Sequence, residues 1–382
     1  MNILALEPFM GGYHKAFLRG LEKNSKHSLY SVTMSDRYWK WQMHGGSLTL
    51  ARNSESIQVS IDLILASSMT DLSAFIALTN PRFAHTPIAL YMHENQLTQP
   101  LPENETRDWT YCYINYLSAL LADRLIFSSK FHFDSFIEAL PDFLTRFPKN
   151  HQHLDTIELI QKKSTILHPA IDLKAFDNQK DTRSQNKNPV IVWNQRWSFD
   201  KDPALFFRMM NRLDDAGYRF DLILAGDNRH DKPAEFEKAW NRYGHRIIHY
   251  GYVEDFEIYS KLLHQADIVV STAQYEFFCA AIMEAIYCGC HPVLPDGLTY
   301  TELIPEHLRH PLLHAPVFFE TEDELFHVLR SILKGDAKPL PKASLQGINK
   351  HLDWGVMIHK YDTLFEEIAA SKKEISPLSG LQ

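Results

Sequence analysis

The chain has 382 residues, 45% hydrophobic and 23% charged, and its 39 Lys and Arg against 47 Asp and Glu leave a net charge of −8. That length predicts two domains, and the acidic balance excludes a bulk electrostatic binder of nucleic acid, so any RNA partner needs a local basic face. No uninterrupted apolar run approaches the ~18 residues of a membrane span. Residues 1–7 lack the basic start and cleavage site of a signal peptide. Cys112, Cys279, Cys288 and Cys290 have neither disulfide nor zinc spacing, which predicts a protein of the reducing cytoplasm.

Apolar strands alternate with helical patterns almost throughout. In the first half, strands are predicted over 3–6, 29–34, 63–66, 88–92 and 125–128, with helices over 14–21, 109–121 and 131–140. The polar stretch 141–164 reads as a loop or short irregular helices, and 165–169 as the last strand of the first domain. Residues 177–189 have a solvated linker composition. The alternation then restarts, with strands over 190–193, 222–225, 247–250, 268–271 and 292–294 and helices over 203–216, 234–243, 256–265 and 278–288. The expected organisation is an N-terminal domain 1–176, a linker 177–189, a nucleotide-sugar-binding domain 190–352 and a C-terminal segment 353–382. An amphipathic helix near 354–370, with Met357, Tyr361, Leu364, Phe365 and Ile368 on one side, is placed to cross back to the first domain; the chain beyond 372 reads as a frayed tail. The fold class is α/β, with two Rossmann-like doubly wound parallel-sheet domains facing a cleft. Ligands then bind outside the carboxyl ends of the strands, so residues just after strands carry the chemistry.

After the first strand, Gly11 and Gly12 precede a helix bearing His14 and let backbone approach a phosphate or sugar. After the fourth come His93, Glu94, Asn95 and Gln96. They read either as a capping cluster for the next helix or as sugar contacts led by His93. In the second half, Arg196 and Lys201 bring two positive charges to the start of a helix, where they balance a diphosphate or pair with Asp200 and Asp202. Gly226 ends the next strand and would admit a nucleotide. Gly251 follows another, flanked by Tyr250 and Tyr252, and serves a base or simple packing. Glu276 and Glu284, with seven residues between them, sit at a strand-to-helix junction with Phe277, Phe278 and Cys279. A helix start seats a phosphate, and at 1.5 Å per residue the two carboxylates lie at most ~12 Å apart, the span from the sugar of a nucleotide sugar to its ribose.

Several of these stretches resemble one family. Gly-Gly-x-His at 11–14, Tyr-x-His-Glu-Asn-Gln-Leu at 91–97, Ile-Val-Trp-x-x-Arg-Trp-x-x-Asp-Lys-Asp-Pro from 191, and Glu-Phe-Phe at 276 with Tyr-Cys-Gly-Cys at 287 are similar to the tRNA-queuosine α-mannosyltransferases, retaining glycosyltransferases of the GT-B, family-four-like class. Trp39, Trp41, Ser67, Ser68 and Ser129 also fit that family's N-terminal domain. The resemblance implies transfer of mannose from GDP-mannose to queuosine in a tRNA anticodon, with no metal or other cofactor. By carry-over, Arg196 and Lys201 hold the diphosphate, Glu276 with the backbone of Phe277, Phe278 and Cys279 holds sugar and phosphate, Glu284 holds the ribose, and His93 contacts the mannose. The acceptor side is assigned to His14, Glu94, Asn95, Trp39 and Trp109. Lys130, Arg146, Lys149, Lys162, Lys163 and Arg107 are candidates for the local basic face, and Trp39, Trp41 and Trp109 for stacking on a base.

Overall fold

The computed structural model describes residues 1–179, 183–229, 233–309 and 311–371. The predicted tail beyond 372 and the middle of the predicted linker, 180–182, lie outside the described residues. Two compact units emerge, one formed by Met1–Ala170 with the chain from Trp354 onward, the other by Ile171–Asp353.

The first unit is built on six parallel strands: β1 (Asn2–Glu7), β2 (Ser28–Thr33), β3 (Leu63–Ser67), β4 (Ile88–Met92), β5 (Arg124–Phe127) and β6 (Ser164–Ile166), in the order β2-β1-β3-β4-β5-β6. Every residue of β3 and β4 is buried, as a parallel sheet covered on both faces requires. Alternate side chains enter opposite cores. Leu4, Leu6, Ile64, Leu90 and Phe127 pack under Leu50, Phe75, Tyr116 and Phe136. Ile3, Leu63, Leu65, Ala89 and Tyr91 pack under Phe17 and Leu21 and under Trp354, Met357, Tyr361, Phe365 and Ile368 of the helix Trp354–Ala370. Gly20 permits that last contact, because a Cβ there would lie 2.2 Å from the Trp354 indole.

The helix Lys130–Leu144 reaches into 141–164, the stretch expected as a loop or short irregular helices, and continues past Pro141 because Phe143 and Leu144 bury in the core. That burial outweighs the donor Pro141 removes. A further helix, Thr156–Lys162, follows before β6.

The second unit also has six parallel strands: β7 (Val190–Trp193), β8 (Asp221–Leu224), β9 (Ile247–Tyr250), β10 (Ile268–Val270), β11 (His291–Pro295) and β12 (Phe318–Phe319), in the order β12-β11-β10-β7-β8-β9. Val190, Val192 and Val269 face the helix Ala280–Cys288, while Ile191, Trp193 and Ile268 face Phe206, Met210 and Leu329. The unit begins earlier than the polar linker composition predicts. Leu173 and Phe176 are buried in its core, and Arg183 donates to the carbonyls of Ala266 and Cys288.

Strand order reverses between β1 and β3 in one sheet and between β7 and β10 in the other. The loops leaving these pairs diverge, so the carboxyl ends of β1 and β3, and of β7 and β10, are where such sheets open to ligands. No helix among the described residues is long and apolar enough to cross a membrane.

Candidate active site

In the second unit, the loops after β7 and β10 are stitched together. Thr272 Oγ1 donates to the carbonyls of Lys201 (2.8 Å) and Asp202 (3.0 Å), and the Gln274 N–H donates to the Asp200 carbonyl at 2.9 Å. Asp202 caps the helix Pro203–Asp215 by accepting from the Leu205 N–H at 2.9 Å. This stitching sets Lys201 against Glu276. The Lys201 ammonium donates to Glu276 Oε2 (2.9 Å) and the Tyr275 carbonyl (2.9 Å) and lies 3.0 Å from Asp200 Oδ2. Burial would lower its pKa, but Glu276 and Asp200 outweigh burial and hold it above the ordinary lysine value. Burial likewise pushes Asp200 up, and Lys201 with Arg196 and the Ser198 hydroxyl reverses this, leaving it below the usual carboxylate range.

An ammonium has three donors. Here each meets an acceptor, so Lys201 positions Glu276 as well as carrying charge. Arg196, 62% exposed along its side chain and 3.9 Å from Asp200, presents its guanidinium outward.

Glu284 lies one face along the helix Ala280–Cys288. It accepts from the Tyr259 hydroxyl at 2.8 Å, and Asn194 Nδ2 in turn donates to Tyr259 (3.2 Å) and to the Ala281 carbonyl (2.7 Å). Burial raises the Glu284 pKa, which the Tyr259 hydrogen bond opposes. Phe277, Phe278 and Cys279 are buried, and Cys279 holds the N-cap position of that helix without a side-chain cap bond, the helix starting at Ala280, two residues later than predicted. Burial pushes the Cys279 thiol well up, so it stays neutral. Gly226 has a packing task of its own. A Cβ there would lie 1.8 Å from the Gln195 carbonyl oxygen and 2.5 Å from the Trp197 ring, so this glycine lets two loops touch.

In the first unit, Glu7 closes β1 and organises the neighbouring loops. Its Oε1 accepts from the Phe9 N–H (2.9 Å) and Ser67 Oγ (3.0 Å), and its Oε2 meets His14 Nδ1 at 3.0 Å. The His14 and His93 rings lie 4.3 Å apart. His93 Nδ1 is buried without a protein partner, and burial, then His14 and His132, push its pKa well down, so its imidazole is neutral. Among the described residues, Glu7, His14 and His93 form a set whose ligand atoms lie within 4.8 Å of one another and could hold a metal ion. Gly12 has φ +48°, and a Cβ on Gly11 would lie 2.6 Å from Asp36 Cβ.

The remaining acceptor-side residues divide. Glu94 is half-buried, its N–H donating to Ser68 Oγ at 3.4 Å. Asn95 is fully buried; its Oδ1 accepts from the Leu97 and Thr98 N–H groups at 3.0 Å, which shapes the turn, while its Nδ2 has no protein partner. Trp39 packs on Tyr111 at 5.4 Å. The Trp109 ring stacks on Phe143, with the Arg146 guanidinium 3.9 Å from its centroid. The anticipated basic face is largely committed elsewhere: Lys130 pairs with Asp134 and Lys162 with Glu158, while Lys163 and Arg107 donate to backbone carbonyls. Asp200 pairs with Lys201, one of the two readings the sequence offered, whereas Glu7 and Tyr259, which bond to candidate residues, were not singled out. The polar end of β1 pointed to Glu7; nothing local marked Tyr259.

Residues 2–171 match the family model described as tRNA-queuosine alpha-mannosyltransferase N-terminal, and residues 175–336 the model for glycosyl transferases group 1. A tRNA-queuosine alpha-mannosyltransferase of Drosophila melanogaster is 29% identical over 371 residues, spanning 92% of this chain and 97% of the fly protein. Over most of its length this chain is similar to tRNA-queuosine alpha-mannosyltransferases, and it is a glycosyltransferase. Among solved structures, sucrose-phosphate synthase of Thermosynechococcus elongatus superposes with TM-score 0.73 at 14% identity, over 97% of this chain and 100% of that one. Anabaena HepE, solved with UDP and glucose, gives 0.66 at 16% identity, over 96% and 100%. At that identity the likeness establishes the fold alone, that of GT-B glycosyltransferases.

Proposed function

We propose that this enzyme transfers mannose from GDP-mannose to queuosine in the anticodon of a tRNA of the tRNA-Asp type, with retention at the anomeric carbon, in the cytoplasm and without a metal ion. The observation that carries the reading is the Lys201–Glu276–Asp200 cluster beside Arg196, placed where strand order reverses in the second unit. Similarity to the fly tRNA-queuosine alpha-mannosyltransferase suggests the chemistry such a cluster would serve.

In this reading Arg196 and Lys201, with the start of the helix Ala280–Cys288, neutralise the diphosphate as it leaves. Glu276, fixed by Lys201, accepts hydrogen bonds from sugar hydroxyls and is oriented before the donor arrives. Glu284, held by Tyr259, takes the ribose. The leaving phosphate oxygen accepts the acceptor's proton, so no protein carboxylate needs to act as base. His93 is neutral at pH 7 and suits hydrogen bonding to the mannose, while His14, oriented by Glu7, and Glu94 serve the acceptor.

Glu276→Ala is expected to reduce transfer by at least about a hundredfold, the scale for one preorganised polar contact in a closed site, while the thermal unfolding midpoint still reports a folded second unit. Turnover at the wild-type rate would remove Glu276 from the site. Titration with GDP and UDP tests the donor base: GDP is expected to bind more tightly, and a preference for UDP would overturn the donor assignment. EDTA is expected to leave transfer unchanged. Loss of activity restored by a divalent cation would assign a metal to Glu7, His14 and His93 instead.

A further inference from the structure

The start of the helix Trp39–Ser54, with its N-cap Tyr38, carries Arg37-Tyr38-Trp39-Lys40-Trp41, two cations interleaved with three aromatics. Trp39 turns inward onto Tyr111, but Tyr38 is 78% exposed and Trp41 68% exposed. Two large aromatic rings left in solvent beside the exposed Arg37, and beside Lys40, held loosely in an exposed 3.6 Å pair with Glu105, suit a partner with flat apolar faces and negative charge.

The platform is built rather than incidental. Gly45 sits one turn after Trp41, and a Cβ there would meet the Trp41 ring at 3.0 Å, so the indole lies against the helix backbone. A mid-helix glycine costs about 1 kcal/mol relative to alanine. Its neighbour Gly46 is accounted for by Met34 and Pro8, whereas the Cβ contacts at Gly45 are all with Trp41. Part of the indole is thereby held against the helix. The segment beneath is anchored by Gln42, whose Nε2 donates to the Ser35 carbonyl at 2.7 Å, and by the buried Met43.

Its location matters. Met10 N–H donates to the Met34 carbonyl at 3.2 Å, and Gly11 lies against Asp36, so residues 34–36 abut the loop after β1 that carries Gly11, Gly12 and His14. The exposed rings therefore flank the end of the sheet assigned above to the acceptor.

We infer that Tyr38 and Trp41 form a stacking platform for unpaired nucleotides of the RNA acceptor, with Arg37 and Lys40 meeting the adjoining phosphates. Stacking on an aromatic ring is indifferent to base identity, and phosphate contacts supply charge without sequence, so the platform holds an unpaired loop while the site beside it selects the modified base. A −8 chain can thus bind RNA through one compact patch. The inference rests on the tRNA reading of the site.

The test uses the full chain and a queuosine-bearing anticodon stem-loop RNA. Trp41→Ala and Tyr38→Ala are each expected to weaken RNA binding and raise KM for RNA roughly tenfold, with GDP affinity and unfolding midpoint unchanged. Trp41→Phe should recover most of the loss. If wild type glycosylates the stem-loop and both alanine variants bind it as tightly, the platform is overturned while the enzymatic reading stands. If wild type neither binds nor glycosylates the stem-loop, the tRNA reading itself fails.

Discussion

Lys201→Met is expected to abolish transfer and to destabilise the second unit by about 3–5 kcal/mol, the cost of breaking a buried ion pair from one side. Lys201 is only 7% exposed along its side chain, and Asp200 and Glu276 are 12% and 13% exposed. Methionine keeps the volume but leaves two carboxylates facing each other with no cation between them. Glu276→Gln removes one charge and retains a hydrogen-bond acceptor, so its stability loss should be smaller than that of Lys201→Met even though transfer falls in both. Chemical denaturation with GDP titration separates the two effects. Equal destabilisation by both variants would show that the lysine does not organise the cluster.

The same cluster sets a pH window. The Asp200 pKa is depressed from 3.8, so its contribution is present above that value and is lost as pH falls through the depressed one. The Lys201 pKa is raised from 10.5, so its contribution is complete below that value and is lost only as pH rises through the raised one. Across neutral pH the cluster stays intact.

Gly226→Ala is the second large effect. The added methyl would sit 1.8 Å from a backbone oxygen and within 2.7 Å of two Trp197 ring atoms. Trp197 cannot yield, because it is 3% exposed and stacks on Phe236 at 3.6 Å, nearly parallel. Overpacking of this kind costs about 1–3 kcal/mol or more. The strain falls on residues 195–197, directly before Asp200 and Lys201, so donor affinity should drop together with the unfolding midpoint. A variant with unchanged midpoint and weakened GDP binding would instead place the nucleotide at Gly226.

The sheet architecture was legible because apolar runs such as Ile88–Met92 and Val190–Trp193 are uninterrupted and bounded by polar residues. Helices with a clean apolar stripe, Trp109–Leu121 and Trp354–Ala370 among them, were equally plain. Harder to read was the helix continuing past Pro141, since core burial rather than local propensity sustains it. The loops carrying the candidate site could be located, being polar runs after buried strands. The task of each residue within them could not, because it depends on partners distant in sequence. Lys201 meets Glu276 across 75 positions. Asn95, which read either as part of a capping cluster or as a ligand contact, bonds within its own turn, and of three tryptophans considered for stacking Trp41 is the most exposed, at 68% against 38% for Trp109.

The most direct measurement is incubation of the protein with GDP-mannose labelled in the sugar, together with bulk tRNA prepared with and without queuosine. Label is expected on tRNA that contains queuosine and nowhere else. Equal labelling of queuosine-free tRNA, or label recovered on lipid or glycan with none on tRNA, would contradict the account.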